Sequence, residues 1–230
     1  TALMARVYLC QENLTDALAC AQEVIDSKRF EFMNDSINNV YAYRNLSYIE
    51  KMARHEYVSS LYVYDLKEGR SDLFFKNLAS CECVIAEGRK ASIYSGMGQD
   101  LDIRSKNWFE TPAGSATEYV NKYMRGTQIP LLKLSEMYLI AAEASGDIRY
   151  LETLRANRGY ATDPLPAGAN LQDEITKEYQ KEFIAEGQLF YYYKRRNMAI
   201  LPITSTSMNR ATYVLPVPDN ELEFGNFKQN

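Results

Sequence analysis

The apolar and polar positions fall into three regimes along the chain. Up to Asp26, apolar residues return every three or four positions, the spacing that places them on one side of a helix. Leu3, Val7 and Cys10 mark the side of a first helix, over 1–11. Leu14, Ala17, Leu18, Ala21, Val24 and Ile25 mark a second, with Asn13 placed to cap it. Alanines at the crossing and a tight turn give these two helices the form of a tetratricopeptide-type unit. From Phe30 to Asn121 the helical period is intermittent. Residues 56–64 (EYVSSLYVY) are β-branched and aromatic, which predicts a strand. Ser80 can cap a short helix running toward Tyr94, and 81–86 can equally be extended. Residues 95–100 predict a loop, and 106–110 with 117–124 predict a hairpin turning at Thr111-Pro112-Ala113-Gly114.

The helical period then returns. Pro130 is placed to open a helix whose inward stripe is Leu134, Met137, Tyr138, Ala141 and Ala142, and 147–157 predicts its partner. Residues 162–169, rich in Pro and Gly, form a loop before the most patterned stretch. There Ile175, Tyr179 and Phe183 recur every fourth position, and Glu178, Glu182 and Glu186 recur beside them. Like charges at that interval weaken a bare helix, so cations have to stand nearby. Arg155, Arg158, Lys194 and Arg195 are the candidates. Gly187 breaks the helix, and Phe190-Tyr191-Tyr192-Tyr193 leads into Lys194-Arg195-Arg196 as a second helix turned back on the first. The expected fold is mostly α: tetratricopeptide-like helical repeats in an α-α superhelix with an irregular, strand-containing insertion. One domain over 1–230 is expected, because repeat units cannot each bury a core alone. Its parts are a helical pair (1–29), the irregular insertion with its hairpin (30–129), and two helical pairs plus an extended tail (130–230).

Composition narrows the function. The formal net charge is −4, which offers no basic surface to nucleic acid or to an anionic membrane. No apolar run approaches the length of a membrane helix. The chain begins inside a helical pattern, so it is expected to be a fragment of a longer protein. Val7-Tyr8-Leu9-Cys10 lacks the small residue and apolar lead of a lipoprotein box. Cys10, Cys20, Cys81 and Cys83 are expected as free thiols, the last two standing too close in sequence for an easy bridge. With His55 the only histidine, neither a zinc site nor a nucleophilic triad is expected. Asp100 and Asp102 beside Gly96 and Gly98 lack the later ligands of a calcium loop, so no metal is expected. Carboxylates at four-residue spacing would project in parallel from one helix face, which is unlike a glycosidase pair flanking its substrate.

Several segments together resemble the SusD/RagB family. Ile175, Glu178, Glu182, Phe183, Glu186, Gly187, Lys194 and Arg195 fit its closing helical pattern, with Gln188 and Tyr192 departing from it. Ser135, Glu136, Leu139, Ile140, Ala142, Glu143 and Ala144 fit its R-x-[AS]-E segment, with Lys133 in place of the arginine. Arg155 and Arg158 match its R-x-x-R, Asp102-Ile103-Arg104 its D-x-R, and Lys122-Tyr123 its K-Y pair. Leu215, Pro216, Val217, Pro218, Glu221, Asn226, Gln229 and Asn230 match its closing motif. The first helical pair also looks like an internal pair of that family.

The resemblance implies a lipid-anchored protein on the outer face of the outer membrane. It would capture glycans or other nutrients for a SusC-like TonB-dependent transporter, with no catalysis and no cofactor. On that resemblance, the lipid anchor and the N-terminal part of such a protein are expected to lie outside this chain. A protein–protein scaffold without a ligand of its own is the competing class. Sugars stack on aromatic rings and bond to amides, so Trp108, Tyr94 and Asn107 in the insertion are the expected ligand residues.

Overall fold

The computed structural model describes residues 1–32, 54–64, 84–85, 88–94, 102–111, 118–120, 122, 128–202, 204–214, 217–218, 223 and 225. The predicted first pair is present as α1 (Ala2–Cys10) and α2 (Leu14–Asp26). Asn13 caps α2 by accepting the Asp16 amide, as the sequence predicts. The side on which α1 is buried differs from expectation. Ala2, Ala5 and Leu9 face the core, while Leu3, Val7 and Cys10 face outward. Small residues win because Ala5, Ala17 and Ala21 let helix backbones approach closely.

After the pair, Tyr57–Tyr62 forms β1, as the aromatic and β-branched run predicts. It pairs antiparallel with β5 (Gln128–Lys133). Pro130 therefore lies in a strand, paired with Ser60, and does not open a helix. A proline biases the residue before it toward extended backbone, and a two-stranded ladder tolerates its missing N–H. Between them lie β2 (Val84–Ile85), α3 (Arg89–Ile93), α4 (Ile103–Asn107), β3 (Phe109–Glu110) and β4 (Glu118–Val120). The predicted hairpin strands pair, Phe109 opposite Val120 and Glu110 opposite Tyr119, with β2 on the other side of β4. Lys106 and Asn107 belong to α4 instead, because Asp102 caps a helix there by accepting the Arg104 amide. Cys81, Cys83 and the loop at 95–100 lie outside the described residues, as do residues 112–114 of the turn and Tyr123.

The second half brings α5 (Leu134–Ser145) and α6 (Ile148–Arg155), then a π-helical turn over Ala156–Tyr160, and α7 (Leu171–Glu182). Gly146 ends α5 with a left-handed backbone at φ 69°, and Asp147 caps α6. The core joins the two pairs: Ala2, Ala5, Leu9, Ala17, Ala21 and Val24 pack on Met137, Ile140 and Ala141 of α5. Arg6 ties α1 to α5 by a two-point ion pair with Glu136, at 2.6 and 2.7 Å.

The chain divides into two compact units, Thr1–Glu186 and Gly187–Asn230. The second contains α8 (Gln188–Arg195), opened by Gly187 at φ 73°, and α9 (Arg210–Tyr213). Within it Phe190 packs on Tyr213, whose hydroxyl donates to the Met198 carbonyl at 2.8 Å. Of the closing motif, Val217 and Pro218 are described; Leu215, Pro216, Glu221, Asn226, Gln229 and Asn230 lie outside the described residues. No helix among the described residues is long and apolar enough to cross a membrane.

Candidate functional site

The first unit is organised around a buried network of charges on α7. Helix α7 starts where Asn170 accepts the Gln172 and Asp173 amides. From Glu178 to Phe183 every residue is buried. Glu178 and Glu182 therefore enter the interior together with the apolar stripe of Ile175, Tyr179 and Phe183. Glu186 sits beyond the last helical turn, since α7 ends at Glu182. A turn through Ala185, at φ 60°, carries its carboxylate back to the same cations.

Each of the three carboxylates is paired. Glu178 accepts from Arg104 at 2.8 Å, Lys181 at 2.9 Å and Arg155 at 3.5 Å. Glu182 accepts from Arg104, both Arg158 Nε and Nη2, Lys133 and the Ser135 hydroxyl, all between 2.9 and 3.2 Å. Glu186 accepts from Lys133 at 2.8 Å and from Lys122. Lys122 also bonds the Glu182 carbonyl at 2.7 Å, satisfying one of the acceptors that a helix end leaves open. Farther out, Arg158 holds Glu56 with two parallel bonds of 2.7 Å, and Arg104 folds back onto Asp102.

The family-like segments thus meet in one place. The D-x-R arginine, the K-Y lysine, Lys133 with Ser135, the R-x-x-R pair and the three glutamates all belong to one network. Of the cations expected from sequence, Arg155 and Arg158 take part. Arg104, Lys122, Lys133 and Lys181 were not foreseen as partners, although three of them stand in family-like motifs. Their bonds to α7 span 49 to 78 residues for Lys133, Lys122 and Arg104, distances at which local periodicity is silent.

The electrostatics follow from burial opposed by pairing. Burial pushes the Glu178 carboxyl up, but Arg104, then Lys181 and Arg155, outweigh it and hold the group at about 2. Burial also raises Glu182 and Glu186, and the cations on each drive both below the ordinary carboxylate range. Lys122 goes the other way. Burial is the largest influence, Lys133 adds like-charge repulsion, and together they overcome Glu186 and lower the amine to about 7. Carboxylates held this low, inside the unit and saturated with donors, are poor proton-transfer groups. Their arrangement fits a scaffold. Among the described residues no group of His, Cys, Asp and Glu could hold a metal ion.

The three residues expected to contact ligand lie beside this network. Trp108 is 1% exposed. Its face carries the Lys122 ammonium at 3.7 Å from the ring centre, with Lys133 at 5.8 Å. The expected open ring is thus a covered one, because the buried lysine needs a polarisable surface and the indole provides it. Tyr94 is also fully buried and donates to the Lys181 carbonyl at 3.0 Å. Asn107 is half-buried, and its Nδ2 has no hydrogen-bond partner among the described residues. Among the described residues, rings open to solvent lie elsewhere: Tyr62 and Tyr64 at the end of β1, and Phe190 and Tyr191 on α8. Cys10 and Cys20 are free thiols, as expected.

A consequence for Trp108 can be measured. Trp108→Phe keeps an apolar ring but shrinks the surface under Lys122 and leaves a gap. It should cost on the order of 1–2 kcal/mol in a denaturant titration. An unchanged midpoint would show that the indole is not part of the core.

No protein-family model matches the sequence, and no curated protein matches it. Solved structures do. A SusD superfamily protein from Bacteroides vulgatus aligns with 97% of this chain at a TM-score of 0.65 and 18% identity. A proposed sugar binding protein from the same organism aligns with 96% at 0.69 and 22% identity. A SusD superfamily protein from Bacteroides thetaiotaomicron aligns with 97% at 0.63 and 20% identity. The chain spans 56% of the length of the first two and 57% of the third. Tetratricopeptide-like helical pairs, a strand-containing insertion and this alignment over nearly its whole length give the chain the fold of the SusD superfamily.

Proposed function

We propose that this chain is the scaffold-bearing part of a cell-surface protein that captures glycans, without catalysis, for import through a SusC-like TonB-dependent transporter. The observation that carries the reading is the fold likeness over 96% of the chain to a protein described by sugar binding. The buried network supports it from the chemical side. The most conspicuous carboxylates of the sequence are committed to ion pairs and give a hydrolase nothing to work with. On this reading the protein sits on the outer membrane's outer face, held by a lipid anchor in the longer protein. The insertion holds ligand through side chains other than the covered rings of Trp108 and Tyr94. Among the described residues of the insertion, Tyr62 and Tyr64 are open rings, suited to stacking against sugar C–H faces.

The test is calorimetry of the full-length protein against a panel of polysaccharides, with and without Tyr62→Ala/Tyr64→Ala. Binding that weakens in the double variant, with an unchanged melting temperature, is the expected result. Burial of Trp108 and Tyr94 favours one second reading, a repeat scaffold that binds only protein. Co-purification of the transporter with no glycan bound by the full-length protein would select it.

A further inference from the structure

Two lysines converge on one oxygen. Lys122, just past β4, and Lys133, the last residue of β5, both donate to Oε1 of Glu186, Lys133 at 2.8 Å. Each is 3% exposed, so water does little to screen one ammonium from the other. They also share the indole of Trp108, Lys122 lying at 3.7 Å from the ring centre and Lys133 at 5.8 Å. Like charges on one counter-charge in a dry site lose their protons in two separated steps. The surroundings choose the member that yields. Lys133 has Glu182 Oε1 as a second carboxylate oxygen, at 3.2 Å. Lys122 also bonds the Glu182 carbonyl, which carries no net charge. On Lys133 burial is outweighed by Glu186 and Glu182, and the amine is raised. On Lys122 burial, with Lys133 added, prevails over Glu186 and brings the amine to about 7.

This lysine ties the insertion to the scaffold. It follows β4 of the β3–β4 hairpin and bonds to the end of α7. Glu182 and Glu186 face it from α7 and the turn beyond, and Lys133 faces it from β5. Arg104 of α4 and Arg158 of the π-helical turn stand behind Glu182, with Glu56 on Arg158. On the hairpin Glu118 is turned to Lys90 of α3 at 2.7 Å, and Lys106 of α4 is exposed. Glu182 and Glu186 are held below the ordinary carboxylate range and Arg104, Arg158 and Lys133 above their ordinary values, so none of these changes charge near neutrality. We propose that Lys122 and Lys133 form a proton-operated latch on the β3–β4 hairpin: a proton on Lys122 sets two ammonium groups against one oxygen and loosens the hairpin from α7, and its departure seats the hairpin. A lysine released to solvent holds its proton up to about 10.5, the seated one only to about 7, so opening binds a proton between those values. Opening is therefore favoured as the pH falls toward 7 and levels off below it. The latch does not depend on the ligand reading.

Trp108 is the only tryptophan of the chain, so its emission reports the charge that stands on it. Titrating the native 230-residue chain from pH 6 to pH 9 should give one emission transition centred near 7, absent in Lys122→Met. Lys133→Met leaves Glu186 to Lys122 alone and should move the transition to higher pH. Hydrogen exchange read by mass spectrometry, corrected for the intrinsic pH dependence of the rate, then measures the seating. Protection of the β4 peptide should fall roughly tenfold or more from pH 9 to pH 7, level off below, and lose this dependence in Lys122→Met. It should stay beneath the protection of residues 137–142 in α5. Emission that does not change over this range, or changes equally in Lys122→Met, would overturn the proposal. So would a transition unmoved by Lys133→Met, or β4 and α5 protected equally at every pH, since the proton would then act on the whole fold. Should either variant fail to fold, the comparison of β4 with α5 in the wild type still decides.

Discussion

Glu182→Ala should destabilise the first unit by about 4–5 kcal/mol, which is the upper range for breaking a buried ion pair. In a chain of this size that lowers the melting temperature by roughly 8–20 °C. The magnitude comes from what is left behind. Removing this one carboxylate takes an acceptor from Arg104, Arg158, Lys133 and Ser135 at once, and all four side chains are buried. Arg104, Arg158 and Lys133 keep Asp102, Glu56 and Glu186 as partners, but three buried cations then share one negative charge fewer, which water replaces poorly inside the protein. Glu182→Gln retains shape and one acceptor oxygen, so it should fall between the wild type and the alanine variant. The exposed pair of Arg149 with Asp147 is the control, and Arg149→Ala should leave the melting temperature unchanged within error. Thermal scans of the three variants decide the matter. A Glu182→Ala protein as stable as the wild type would mean that the network relaxes to admit water.

The second large effect is on pH. In the folded chain the Glu178 carboxyl sits at about 2, against 4.5 for an ordinary glutamate. Between those values the unfolded chain binds the proton and the folded chain does not. Stability from this group is therefore complete above pH 4.5 and drains as the pH falls toward 2. Glu178 alone contributes on the order of 3 kcal/mol, and Glu182 and Glu186 act in the same direction. Acid unfolding should accordingly be steep below pH 4.5. Lys122 gives the opposite end of the curve a different slope. Its folded value of about 7 lies below the ordinary 10.5, so the unfolded chain binds more protons between them. From this group stability rises as the pH goes from 7 toward 10.5. Lys122→Met should flatten that rise between pH 7 and 9 in guanidinium titrations. A rise that persists in the variant would assign it to other groups.

The helical pairs were legible because their information is local. Asn13 and Asp147 occupy capping positions, and the apolar period around them fixes the helices that follow. The charge stripe of α7 was legible as a demand for cations, since three glutamates at four-residue spacing cannot stand alone. Which cations answer it was only half legible. Arg155 and Arg158 lie close in sequence to α7, whereas Arg104 reaches Glu178 across 74 residues and is delivered there by the fold of the insertion. Trp108 shows a different limit. An indole in an irregular region can be a platform for a sugar or for a lysine, and composition does not choose; the placement of Lys122 does. In α1 the larger residues suggested the buried side, but the close approach of three helices demanded alanines. Pro130 illustrates the same conflict at a boundary, where a residue favourable at a helix start also fits a strand of a two-stranded ladder.

The pairing of Glu56 with Arg158 spans 102 residues, and that of Arg104 with Glu182 spans 78. Contacts of such sequence separation form late, because the intervening loops have to close before any attraction rewards them. During synthesis the chain emerges at roughly 5–20 residues per second. Glu56 and Arg104 therefore spend several seconds in solvent before α7 has left the ribosome. Until then the α1–α2 pair depends on α5 to complete its core, and Arg104 lacks its partners on α7. A ribosome stalled before Glu178 would therefore hold a chain whose charge network is incomplete.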